Sequence, residues 1–264
     1  MYRKLLNSLA EVRAFYELTS NLNETDFEKL VEGVSKHEYD IPDIMTFTRI
    51  FLSMLQLGRY DYAEKMIDTL EQKIDSHPLK DVVLDIYRFM YYSFKDDPNQ
   101  NTINVLTSIL KRLNTNLSIL LRQFGLKNSP WSDTLSKLYK IIEIDLGLKL
   151  NESELLNLDK RLYHLYRYMN ASDLNIEDLT EALKLTLDYT LPSRKIFRMI
   201  ASKTLLFINK IKQNYDVLLL LILFSYALND TQVYVDMWSL LDDANKSKVN
   251  HLLEDLDELA ETIE

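Results

Sequence analysis

Four glycines and five prolines in 264 residues leave this chain almost without the residues that turn a backbone sharply. That shortage constrains the fold more than any motif does. A β-rich fold needs a tight turn every few residues, commonly built on glycine, proline or asparagine-glycine pairs. A chain that turns seldom runs in long elements with short connections, and such elements are helices. Hydrophobic residues make up 47% of the chain, enough for a continuous core. The sequence predicts an all-α protein.

Caps and breaks then mark the helices. Thr25 and Glu28 in "NETDFEKL" have capping-box spacing, which starts a helix near Asp26. Pro42 opens a helix from about Asp43 to Leu57, Gly58 ends it, and another runs from about Asp61 to Asp75 before His77 and Pro78. The next pair is about Leu79 to Phe94 and Asn99 to Leu113, parted by "KDDPNQ" with Pro98. "NTNLSILLRQFG" and "WSDTLSKLYKIIEIDLG" form a third pair, ended by Gly125 and Gly147, with Pro130 in the loop between them. Later pairs are about Glu152 to Met169 with Ile176 to Tyr189, and about Ser193 to Lys212 with Tyr215 to Leu228. Asn229 and Asp230 turn into two last helices, near Thr231 to Leu241 and Lys246 to Ile263. The organisation expected is one repeat domain over 1–264, a superhelical stack of antiparallel pairs, with a helical cap at 1–40 and an acidic capping helix at 246–264.

The stretch "LGRYDYAEKMIDTL" carries a resemblance. Gly58, Tyr60, Asp61 and Ala63 are similar to the inter-helix turn and second-helix start of the tetratricopeptide family, and Pro78 lies near that family's closing proline. The resemblance covers residues 44–78 and departs from the family at Phe51, where a small residue is the rule. It implies an α-solenoid that binds a protein or peptide on a concave face. Degenerate arrays of this kind also resemble the repeat domains of peptide-sensing bacterial regulators, which makes a peptide-responsive regulatory subunit the alternative.

Several chemistries find no support. Cysteine is absent, so no disulfide, thiol nucleophile or zinc-thiolate site is expected, and cytoplasm is the default setting. The longest apolar run, Val217 to Leu228, is about 12 residues against the roughly 20 that span a bilayer, and reads as a helix buried all round. His37, His77, His164 and His251 lie far apart without metal-ligand spacing, and read as surface or loop groups. No glycine-rich phosphate loop or nucleophile elbow occurs, and no cofactor is implied. The pairs Asp242-Asp243 and Glu254-Asp255 read as solvated helix faces. A net charge of −9 argues against nucleic acid as partner. The chain reads as non-enzymatic, and an all-helical enzyme with scattered site residues is the contrasting class.

Two features remain as candidate binding surfaces. Between Asp188 and Asp216 the chain has no acid, yet it carries Arg194, Lys195, Arg198, Lys203, Lys210 and Lys212. On a helical wheel these fall opposite an apolar arc that includes Ile196, Phe197, Ile200 and Ala201. Another acid-free stretch, from Asn99 to Ser132, holds Lys111, Arg112, Arg122 and Lys127, whereas "LLEDLDELAETIE" is acidic throughout. The basic helix is a solvated face or one neutralised by the acidic terminus, a site for an acidic peptide or partner, or a helix lying on anionic lipid. In "YRFMYYSF", Tyr87, Tyr91 and Phe94 share one face, while Phe89 and Tyr92 lie elsewhere. The partner-binding candidates are Arg194, Lys195, Arg198, Lys203, Tyr91 and Tyr92.

Overall fold

The computed structural model describes residues 2–35, 41–75, 80–95, 104–109, 111–113 and 130–263, and all regular structure among them is helical, with no strand. Pro98, Gly125, Arg122, Lys127, the segment "NTNLSILLRQFG", His37, His77 and Pro78 lie outside the described residues. No helix of the described residues is long and apolar enough to cross a membrane. The chain divides into two compact units, Met1–Asn21 with Gly147–Asp188 and Ser193–Glu264, and Leu22–Leu146 with Tyr189–Pro192.

The second unit contains α2 (Glu24–Ser35), α3 (Ile41–Gln56), α4 (Tyr60–Lys73), α5 (Lys80–Phe94), α6 (104–109) and α7 (Pro130–Asp145). Its best-defined junction is the glycine elbow. Gly58 has φ +72°, and the amides of Gly58 and Arg59 donate to the carbonyls of Leu55 and Met54 at 3.1 and 2.8 Å. Those crossed bonds close the C-terminus of α3, and a residue without Cβ adopts the left-handed conformation cheaply. Ala63 is fully buried, Tyr60 donates from its hydroxyl to the Phe94 carbonyl at 2.8 Å, and α4 packs on α3 and α5. Phe47, Phe51 and Tyr87 form the aromatic centre of this unit, with Tyr87 edge-on to both phenylalanines at 5.1 Å. The Tyr87 and Thr48 hydroxyls share a buried hydrogen bond of 2.6 Å. The segment Tyr189–Pro192 is anchored to α3, where the Gln56 amide donates to the carbonyls of Tyr189 and Leu191 at 2.9 and 2.6 Å.

The start of α2 differs from expectation. The reciprocal cap is made by Asn23 and Asp26, with Asp26 N–H donating to Asn23 Oδ1 at 3.1 Å and Asn23 N–H donating to Asp26 Oδ2 at 3.0 Å. Asparagine caps at least as well as threonine, so the helix begins earlier and Thr25 falls inside its first turn.

The first unit contains α1 (Tyr2–Ser20), α8 (Glu152–Leu158), α9 (Lys160–Asn170), α10 (Ile176–Leu183), a 3₁₀ turn (Lys184–Leu187), α11 (Ser193–Leu205), α12 (Ile208–Ile211), α13 (Tyr215–Ala227), α14 (Thr231–Trp238) and α15 (Asp243–Glu261). The run Val217 to Phe224 is buried on every side of α13. Helix α1 packs on α13 and α15, where Arg13 Nε meets Asp257 Oδ1 at 3.1 Å and Tyr226 donates to Asp257 Oδ2 at 2.5 Å. In a linear stack of repeats each pair touches its sequence neighbours. Here helices from the two ends of the chain touch one another.

Three helices expected as continuous are interrupted, one of them where α10 gives way at Lys184 to the 3₁₀ turn. Asp159 takes an extended conformation (φ −162°) between α8 and α9, and its carboxylate accepts from the Arg161 amide at 2.8 Å and from the Arg161 guanidinium at 2.7 Å. A side chain that caps a new helix competes with continuation of the old one. Leu206 and Phe207 separate α11 from α12. Asn229, at φ 52°, ends α13 much as Gly58 ends α3, with the Asp230 amide donating to the Ser225 carbonyl at 2.8 Å. Asp242 caps α15 by accepting from Asn245 N–H at 2.8 Å, so one acid of the Asp242-Asp243 pair has a structural partner and the helix starts earlier than Lys246.

Candidate binding site

Helix α11 shows how the basic candidates are placed. It packs against α9, α10, the 3₁₀ turn and α13, which leaves no uninterrupted solvent half. Lys195 is consequently buried, at 5% exposure. Arg194 donates from Nε to the Leu228 carbonyl at 2.8 Å and lies 4.2 Å above the Tyr16 ring. Arg198 donates from Nε to Asp230 Oδ2 at 2.7 Å, and the Asp230 side chain is only 1% exposed. Asp230 also caps α14 through the Val233 amide. Lys203 stands 5.6 Å from the Phe207 ring centre, and Lys210 pairs with Asp173. Arg198 and Lys210 thus pair with loop aspartates, Asp230 and Asp173, whereas Asp257 of α15 is bound to α1.

The aromatic candidates are also largely interior. Tyr91 is buried, edge-on to Tyr60 at 6.2 Å, with the Lys95 ammonium 4.4 Å above its ring. Phe89 is fully buried as well, and Tyr92, half-buried, packs edge-on to Tyr91 at 5.3 Å. Helix α5 buries more than one face because α3, α4 and α7 all pack on it.

A concavity that sequence reasoning did not single out lies in the first unit. Its volume is about 920 Å³, and it is lined by Gly147 to Lys149, the start of α8, the last turn of α9, the connection 171–175 and the start of α10. Gly147, at φ +68°, ends the preceding helix and lets the chain enter it. The Tyr166 hydroxyl accepts from the Leu150 amide at 3.3 Å and fixes this wall. Leu148 and Ile176 remain 47% and 43% exposed, so the lining offers apolar surface to a ligand. Lys149 and Arg167 supply positive charge and Glu152, Asp173 and Asp178 negative charge. Lys210, hydrogen-bonded to Asp173, holds that carboxyl below the usual range.

Behind Asp178 stands a buried imidazole. His164 on α9 and Asp178 on α10 are 5% and 4% exposed at their side chains, and His164 Nδ1 lies 2.7 Å from Asp178 Oδ1. With Asp178 as a carboxylate, which only accepts, Nδ1 is the donor of this bond. Nε2 is buried and has no hydrogen-bond partner among the described residues. Arg167 Nε stands 3.5 Å from Asp178 Oδ2 with its side chain 44% exposed. The Tyr163 hydroxyl and the Asp178 charge both push the Arg167 guanidinium above its ordinary value, so it is a fixed cation of the lining. The position of α10 is set by its cap, Asn175, whose Oδ1 accepts from Asp178 N–H at 3.1 Å.

His164 was expected at the surface. Its place is explained by the stripe Leu162, Leu165 and Tyr168, which faces the core of the first unit and brings His164 in with it. That stripe is the sequence signal that could have found it; Asp178, an acid just after the asparagine that caps α10, had none. His251 is exposed and lies 3.3 Å from Glu254. Among the described residues no group of three or more histidines and carboxylates is arranged to hold a metal ion. Comparison with protein-family models, with curated proteins and with solved structures returned no match for this chain.

Proposed function

We propose that the protein is a non-enzymatic binding module that takes a polypeptide segment, as an adaptor or scaffold, in a cytoplasmic setting. The observation that carries this reading is the lining of the first-unit concavity, where exposed Leu148 and Ile176 lie beside Arg167, Lys149 and the Asn170 side chain. Apolar area with a few convergent polar groups is the general composition of a ligand site. A polypeptide offers the matching chemistry, with apolar side chains and main-chain donors and acceptors. In the second unit α3, α4 and α5 pack as successive neighbours, in keeping with a divergent, tetratricopeptide-like stack. The basic face of α11 contributes less to this reading, because Arg194 and Arg198 are held by Leu228 and Asp230.

Selection of a displayed peptide library on the full chain tests the proposal. Enriched peptides are expected to lose binding to a Leu148→Asp, Ile176→Asp variant that keeps its helical circular dichroism. Failure to enrich any sequence would remove the reading.

A second reading has one observation in its favour. An imidazole whose Nδ1–H is held by a carboxylate while Nε2 has no partner is the electronic arrangement of a general base. An enzyme built on it would lose turnover in His164→Gln without losing its fold, whereas a binding module would have no turnover to lose.

A further inference from the structure

Asp178 is shared. Its Oδ1 is bound closely by His164 at 2.7 Å, while Oδ2 has only the longer contact with Arg167 at 3.5 Å. Arg167 is the more exposed partner, its hydrogen bond to the Tyr163 hydroxyl is long at 3.4 Å, and it lines the concavity. Its guanidinium is thus a loosely held cation at the wall of the concavity. An anionic group pairing with it would share that cation with Asp178, and like charges on one cation disfavour the complex.

We propose that the concavity binds the carboxylate of an acidic peptide side chain at Arg167, and that His164 takes up one proton on binding to hold Asp178 as an imidazolium–carboxylate pair. This rests on the peptide-binding reading and adds its ligand chemistry and its regulation. The lining sets Lys149 and Arg167 against Glu152, Asp173 and Asp178, with Lys210 pairing Asp173 from outside it, so an entering anion meets no excess of positive charge while His164 is neutral. A proton on His164, behind Asp178, adds one positive charge. Histidine is the side chain suited to this, because it changes charge within the physiological range. The flanking groups do not substitute for it. On α9, Tyr163 packs edge-on to the imidazole at 5.4 Å and Lys160 lies one turn before it. On α10, Glu181 is paired with Lys184 of the 3₁₀ turn at 2.5 Å, which holds its carboxyl below the usual range. On α8, Glu152 acts on Arg167, and from α11 the neutral Thr204 hydroxyl meets Tyr168 at 2.7 Å. Ligand and proton then favour one another by the same factor, as linkage requires.

The test uses the full chain and two blocked pentapeptides, acetyl-Leu-Glu-Leu-Glu-Leu-amide and its glutamine counterpart, titrated calorimetrically in buffers of different ionisation enthalpy. The acidic peptide is expected to bind roughly tenfold tighter at about pH 6 than at about pH 8, with net proton uptake. The glutamine peptide should show neither effect. His164→Gln should abolish the uptake, and Arg167→Gln should remove the preference for glutamate over glutamine. Should His164→Gln lose its fold, the proton uptake of the unaltered protein decides alone. Binding of the acidic peptide without proton uptake, or with equal affinity to Arg167→Gln, overturns the inference and leaves peptide binding in place. If neither pentapeptide binds while library selection enriches other peptides, the inference falls and the binding reading stands; if the library also enriches nothing, it is the binding reading itself that falls.

Discussion

Two buried carboxylates, one in each unit, are partnered in opposite ways. In the second unit Asp85 is grasped by both arms of one guanidinium, with Arg112 Nε and Nη2 donating to Oδ2 and Oδ1 at 2.8 and 2.7 Å. In the first unit Asp178 has a close titratable partner behind it and a loose cation in front. The Asp85 pair is closed, since both oxygens are matched by a fork that never loses its charge. The Asp178 cluster is open, since Oδ2 has only a 3.5 Å contact with Arg167, whose side chain is half-exposed at the concavity. The first arrangement fixes α5; the second leaves room for chemistry.

Breaking the closed pair should have the largest effect. Arg112→Leu leaves Asp85, 5% exposed at its side chain, without a counter-charge, and should cost about 3 kcal/mol, read as a lowered urea midpoint. An unchanged midpoint would mean that water replaces the fork. The matching change in the open cluster, His164→Leu, should cost less, about 1–2 kcal/mol, because Arg167 can close on Asp178 from 3.5 Å. If the two costs were reversed, the cluster around Asp178 would be the structural one.

Alkaline pH sharpens the comparison further. Burial pushes the Tyr168 phenol up to about 12, and burial with the Asp257 hydrogen bond does the same for Tyr226, both in the first unit. A neutral phenol is favoured in the folded state, so their stabilisation is complete below the unfolded value of 10.0 and is lost as pH rises through about 12. A denaturation series over that window should show stability falling, with a shallower slope in Tyr168→Phe. The smallest change is local to the second unit. Gly58→Ala forces a side chain to φ +72° and should cost about 1 kcal/mol, seen as a slightly lower melting temperature.

Much of the fold was legible in the sequence. The shortage of turn residues gives the helical class, Gly58 and Asn229 mark two chain reversals, and the unbroken apolar run of α13 gives its burial on all sides. Such signals are local: a cap or a left-handed residue acts on its own turn. What was not legible depends on which helices meet. Arg198 reads as a free basic residue until Asp230 comes to it, Lys195 reads as exposed until α11 is surrounded, and His164 reads as isolated because Asp178 lies on another helix. Charge placement along a sequence reports the wheel of one helix and says nothing of the neighbours that occupy each side. Arg198→Glu accordingly places a second acid against buried Asp230 and is expected to destabilise the first unit, not simply to repel a ligand.

The pairing of α1 with α15 has a consequence for synthesis. Arg13 and Asp257 are 244 positions apart, an interval that takes tens of seconds to translate at roughly 5–20 residues per second. Through that interval the apolar side of α1, with Leu9 and Ala10 fully buried in the finished fold, has no α15 to lie against. All of α2 to α7 emerges in the meantime, and contacts among them are short in sequence and fast to form. The second unit can thus be complete on the ribosome while α1 still waits, and α1 is where a chaperone would find the nascent chain.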